Sequence, residues 1–145
     1  MHAPRIDSFA NPPAYRLREL LRSIRRVAVV GCSPKPYRMS NQIAASMQRR
    51  GFIIVPVHPA GGEILGASAF KDISEIPDDY GIDMVNVFRT PDATADLAHE
   101  AARLGAQAIW LQHGIANAAC ARAAQEHGLT CVMNACWAVT YAMVM

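Results

Sequence analysis

Two nucleotide fingerprints are missing from this chain. After Gly31 come Cys32, Ser33, Pro34, Lys35 and Pro36, so the later glycines of G-x-G-x-x-G are absent, and no Gly-Lys-Ser/Thr triplet opens a helix. The first absence removes the usual close backbone approach to a dinucleotide, and the second argues against nucleotide hydrolysis. An acid to hold ribose hydroxyls is missing too: the run Phe52 to Val57 ends in His58 and Pro59, which argues against NAD. The four cysteines, Cys32, Cys120, Cys131 and Cys136, form no C-x-x-C pair and have no histidines at finger spacing. Neither a zinc site nor a redox dithiol is indicated, and reduced thiols are expected. No apolar segment follows Met1 as a secretory signal would. Residues 128 to 145 lack charge, but Gly128, Thr130, Asn134 and Cys136 interrupt the apolar run, so no membrane anchor is expected. The expected location is the cytoplasm.

What is present is one domain's worth of chain, 145 residues, 52% hydrophobic and only 18% charged, which is enough to bury a real core. The net charge of +2 is uneven. Residues 1 to 26 hold six arginines against Asp7 and Glu19, while the remainder carries eight basic and ten acidic residues. That balance is not one for nucleic acid. The arginines flank Leu17, Leu20, Leu21 and Ile24 at helical spacing, which predicts an amphipathic helix leading into the first strand. Residues 1–14 read as an N-terminal extension and 15–145 as the domain.

Along the chain, β-branched runs bounded by glycine alternate with amphipathic stretches. Strands are predicted at Arg26 to Val30, Phe52 to Val57, Asp83 to Phe88, Ala106 to Leu111 and Leu129 to Met133. Helices are predicted from Ser40 to Gly51, from a Thr90 cap with Pro91 to Leu104, and from an Asn117 cap to Gly128. Residues 63 to 82 read mainly as connection, with a short helix or turn near Ile73. The alternation demands parallel pairing and helices on both faces: an α/β, Rossmann-like, doubly wound sheet. Ligands bind such sheets at the carboxyl ends of the strands.

Those ends carry cations, amides and prolines, and offer neither a nucleophile beside a base nor paired carboxylates. In the first loop, Ser33, Lys35, Arg38 and Ser40 surround a helix N-terminus where an anion is favoured. A basic rim without an acid suits a phosphorylated ribose, leaving NADP and coenzyme A as the leading ligands. Cys32 reads either as a thiolate activated by Lys35 and the helix end or as a small buried hydrophobe. His58 and His113 read as donors to phosphate or ribose, or as solvated loop residues.

The motifs Val-Val-Gly31-Cys32-Ser33-Pro34-Lys35, Arg38-x-Ser40-Asn41, Val55-Pro56-Val57-His58-Pro59, Val87-Phe88-Arg89 and Ile109-Trp110-Leu111-Gln112-x-Gly114 occur in this order. Together they closely resemble the small single-domain CoA-binding proteins, which are similar to the nucleotide domain of succinyl-CoA synthetase. The resemblance implies that the Gly31 to Ser40 loop binds the CoA pyrophosphate. It implies that Pro56, Val57, His58 and Pro59 border the adenosine, and that Arg89 with Leu111, Gln112, His113 and Gly114 lines the opposite wall. His58 stands where such proteins often have Asn, Asn134 replaces a more usual Asp, and Trp137 to Met145 is apolar where charges are common.

The expected function is therefore non-catalytic binding of CoA or acyl-CoA. The rival readings are an NADP-linked oxidoreductase and an interaction module without a ligand. A CoA-type small molecule is the expected partner, with a second copy or another protein at the apolar tail, and with neither nucleic acid nor membrane.

Overall fold

The computed structural model describes residues 9–89 and 94–145. In chain order the elements are α1 (Ala14–Ser23), β1 (Arg26–Val30), α2 (Met39–Arg49), β2 (Ile53–Val57), β3 (Glu63–Ile64), β4 (Ala67–Ser68), β5 (Met84–Val87), α3 (Thr94–Arg103), β6 (Ala108–Leu111), α4 (Ala118–Glu126), β7 (Thr130–Val132) and α5 (Trp137–Val144). A 3-10 turn at Ile73–Glu75 precedes β5, with the Asp72 carboxylate accepting the Ser74 N–H as its cap. The expected cap at Thr90 and Pro91 lies outside the described residues.

Five parallel strands form one sheet in the order β2-β1-β5-β6-β7. Their side chains alternate between two helix layers, as period-two geometry requires. Val27, Val29, Met84, Trp110 and Val132 face α1, α2 and α5, burying Leu21, Met47 and Trp137 beneath them. Ala28, Val30, Val85, Val87, Ile109 and Leu111 face α3 and α4, against Leu97, Ala101 and Ala124. The small residues of α3 and α4 let those helices pack closely. The sheet is thus the doubly wound one that the strand–helix alternation predicts.

Two elements depart from the sequence reading. The segment read as connection contains a hairpin, β3–β4, in which Glu63 pairs with Ser68 and Ile64 with Ala67. Two-residue strands carry too little pattern to be read, and Leu65 with φ 53° and Gly66 with φ 78° make the turn. The apolar tail is helix α5, whose uniform hydrophobicity hides any helical period. Trp110 Nε1 donates to Ala135 O at 2.8 Å and so anchors the approach to it.

A buried amide couples α5 to the sheet. Gln112 Nε2 donates to Asn86 Oδ1 at 2.6 Å, and Gln112 Oε1 accepts the Trp137 backbone N–H at 3.1 Å. Gln112→Leu keeps the volume but leaves the Asn86 carbonyl and a helix N–H buried without partners. The expected loss is about 2–4 kcal/mol of unfolding free energy in urea titration; a loss below about 0.5 kcal/mol would show that the bridge carries little.

Candidate functional site

Strand order reverses at β1, which pairs with β2 on one side and β5 on the other. The connections leaving β1 toward α2 and leaving β5 toward α3 therefore diverge to opposite faces of the sheet, and a cleft opens at their carboxyl ends. The cleft measures about 510 Å³ and is lined by Gly31, Ser33, Pro34, Lys35, Arg38, Met39, Ser40, His58 and Phe88. The Val57 carbonyl of β2 accepts the N–H groups of Gly31 and Cys32, turning the chain sharply out of β1. Gly31 has φ 84°, and an added Cβ would stand 3.5 Å from Phe88 and 3.6 Å from Arg89 Cγ. Those distances are ordinary contacts, so it is the positive φ of the turn that calls for glycine.

The loop after Gly31 is held from α2. Ser40 Oγ accepts the Ser33 N–H at 3.0 Å, and Asn41 Nδ2 donates to Ser33 O at 2.9 Å. Ser33 Oγ in turn accepts the Lys35 N–H at 3.1 Å. Ser40 and Asn41, both buried, thus spend their side chains on loop shape, and Ser33 is the pivot. The first helical N–H groups of α2 are left over. No side chain caps this helix, no acid lies in its first turn, and the cap position is occupied by a cation, Arg38. That arrangement places positive charge at the positive end of a helix dipole, which is unfavourable without an anion. Lys35 and Arg38 are exposed, flank the Tyr37 ring at 6.0 and 5.9 Å, and form no ion pair among the described residues.

His58 joins the cleft from β2. Its Nδ1 accepts the Ala60 N–H at 3.1 Å, which assigns the proton of the neutral ring to Nε2. Pro56 and Val57 are buried in the strand and act through their carbonyls, while Pro59 is exposed beyond it. Proline fits at Pro56 because β2 is an edge strand. Arg89 stands over Gly31 and lies near Asp72, whose carboxyl is held below its usual range first by the Ser74 N–H and also by this guanidinium.

The remaining candidates lie farther along the same sheet edge and do not line the cleft. Leu111 and Gln112 are buried, whereas His113 and Gly114 are exposed. Asn134, at φ 51°, accepts the Gly114 N–H at 2.7 Å and closes that turn. Gln112 and Asn134 are therefore seen as internal braces. Met39 and Phe88 line the cleft although no polar signal marked them; their positions, one opening a helix and one ending a strand, were the available sign. Cys32 is fully buried and faces the core with Val29 and Met47, and burial pushes its thiol up to about 11. Of the two readings of Cys32, the small buried hydrophobe is the one this fits, with desolvation as the cause of the raised value.

A family model for a CoA binding domain matches residues 25–142. The uncharacterized protein YneT of Bacillus subtilis strain 168 is 36% identical over 133 residues, which span 92% of this chain and 97% of that protein. A hypothetical protein from Pyrococcus horikoshii OT3 superposes with a TM-score of 0.84 at 30% identity, covering 99% of both chains. A dinucleotide-forming acetyl-coenzyme A synthetase of Ca. Korarchaeum cryptofilum shares the fold at 19% identity and a TM-score of 0.65, over 79% of this chain and 28% of its own. With nearly the whole chain matched in sequence, and a strand-end cleft whose chemistry is cationic, the protein belongs to the family of CoA-binding domains.

Proposed function

We propose that this protein binds coenzyme A or an acyl-CoA in the β1–β5 cleft and does not transform it. The observation that carries the reading is the uncapped N-terminus of α2, with Arg38 at its cap and Lys35 beside it in the same cleft. A phosphate there accepts the free helix N–H groups and cancels the charge. The pyrophosphate is assigned to the Ser33 to Ser40 loop, and His58 Nε2 with Arg89 supplies donors for the phosphorylated adenosine. The cleft residues include no carboxylate and no exposed nucleophile beside a base, so binding is the activity the groups suit.

Calorimetry with CoA tests this. Lys35→Ala and Arg38→Ala should each weaken binding by roughly 1–3 kcal/mol, with CoA bound in preference to NADP. An unchanged CoA affinity in the double variant would remove the site from the proposal. Neither NADPH oxidation nor CoA-thioester formation should occur with the purified protein alone; turnover abolished by a cleft substitution would overturn the non-catalytic reading.

The CoA thiol is expected not to exchange with Cys32. Iodoacetamide at neutral pH should label the partly exposed Cys136 first and reach Cys32 only after denaturation, as read by peptide mass spectrometry. The buried thiol also has a pH signature. Unfolded, it ionises near its ordinary 9.0; folded, it holds its proton to about 11. The stability from keeping it neutral is present below pH 9 and is lost as pH rises toward 11. Cys32→Ala should lessen that alkaline loss, and an identical pH profile would contradict it.

A further inference from the structure

Three arginines meet at the amino end of β1 and β2, on the opposite edge of the sheet from the Gly31 cleft. Arg22 lies in the last turn of α1, Arg25 just before β1, and Arg50 at the end of α2. They line one small cleft of about 200 Å³ with Phe52, Tyr141 and Met145, and no acidic residue lines it. Each rises from a fixed base. Arg22 follows the buried Leu20 and Leu21 on their helix. The Arg25 N–H donates to the Asp83 carboxylate at 2.8 Å, and its carbonyl accepts the Ile53 N–H at 2.8 Å. The Arg50 guanidinium stacks over the Tyr141 ring at 4.3 Å, and that ring is stacked on Trp137 at 5.0 Å and met edge-on by Phe52 at 6.0 Å. A stacked guanidinium keeps its N–H edge free, in the plane where an oxyanion binds.

The charge is in excess. Among the described residues none of the three arginines forms an ion pair. Asp83 meets Arg25 and Arg26 through their backbone N–H groups, and Glu19 lines a different cavity with Arg16, Ser23 and Gln107. The carbonyl ends of α1 and α2 favour a cation here, but together they amount to about one negative charge against three positive ones. The end of α5 is already served by a fourth arginine, Arg18, whose Nε donates to Val144 O at 2.6 Å.

We propose that this cleft is a second anion site, which binds a single phosphate group, either orthophosphate or a small phosphate monoester. Guanidinium forks from three segments suit a tetrahedral dianion, which cancels the surplus charge that a monocarboxylate would only halve. At about 200 Å³, against about 510 Å³ for the Gly31 cleft, the space admits one phosphate group and not a whole nucleotide. Because the site lies at the other end of β1, it does not depend on the CoA reading. Because α1, α2 and α5 meet only in the folded chain, no local motif marks it.

Calorimetric titration of the full chain with orthophosphate tests the proposal, at an ionic strength held constant with sodium chloride. The Lys35→Ala, Arg38→Ala variant serves as the parent, so that the Gly31 loop contributes no phosphate binding. One equivalent of phosphate is expected to bind saturably and to raise the melting temperature. Arg22→Gln with Arg25→Gln should weaken binding by about tenfold or more, while Arg122→Gln, on α4 across the sheet, should leave it unchanged. All three residues are exposed, so these variants keep the parent's melting temperature in the absence of phosphate. A parallel titration with glycerol 3-phosphate identifies the source: tighter binding than orthophosphate assigns a monoester, and weaker binding the free ion. No saturable phosphate binding, unaltered affinity in the Arg22→Gln, Arg25→Gln variant, an equal loss in Arg122→Gln, or equal binding of acetate overturns the proposal.

Discussion

Strand β1 is hydrogen-bonded on both sides and buried on both faces, and the rest of the molecule is arranged around that constraint. Its chain leaves the sheet at Val30 toward α2, while the neighbouring β5 leaves at the same edge toward α3 on the other face. The two connections diverge above the carboxyl ends and leave space that no side chain fills. Gly31 is where the chain turns into that space, held there by the Val57 carbonyl. A residue with a Cβ would be strained there at φ 84°. The cleft is therefore a consequence of strand order, and its chemistry comes from the loop that order places at its rim.

The polar residues at the strand ends divide into two kinds. Ser40, Asn41, Gln112 and Asn134 spend their hydrogen bonds on neighbouring backbone or amide groups, giving the loops one shape. Lys35, Arg38 and the first N–H groups of α2 have no such internal partner among the described residues. The first kind makes the second rigid, and a rigid set of donors loses less entropy when an anion arrives. Buried amides with a structural use and exposed cations without one look alike in a list of polar loop residues. Only their burial and partners separate them.

Much of the fold was legible because the strands are unusually plain. Val27 to Val30, Ile53 to Val57 and Ile109 to Leu111 are β-branched or apolar runs bounded by turn residues, and buried parallel strands have no other requirement. The hairpin of β3 and β4 was not legible, since two residues per strand hold no period and its pairing is set by contact with the end of β2. Helix α5 was not legible either. Its residues are apolar on every side, so no stripe marks which face meets α1 and α2 and which faces solvent.

At the candidate site, local sequence was enough for those features that depend on adjacent residues: a glycine turn after a strand, cations at a helix start, and a proline-stiffened loop between them. The strand–helix alternation further determined that five such loops share one edge. Tertiary structure alone decided which of these loops meet. It drew the Gly31 loop, His58 and Phe88 into one cleft while leaving Gly114 and Asn134 to brace a separate turn. It also turned Cys32 inward, where loss of water keeps the thiol protonated, and it gathered Arg22, Arg25 and Arg50 from separate segments beside an apolar helix. The physical reason is the same in each case: burial and charge proximity depend on distances between segments far apart in the chain, and no local pattern encodes those distances.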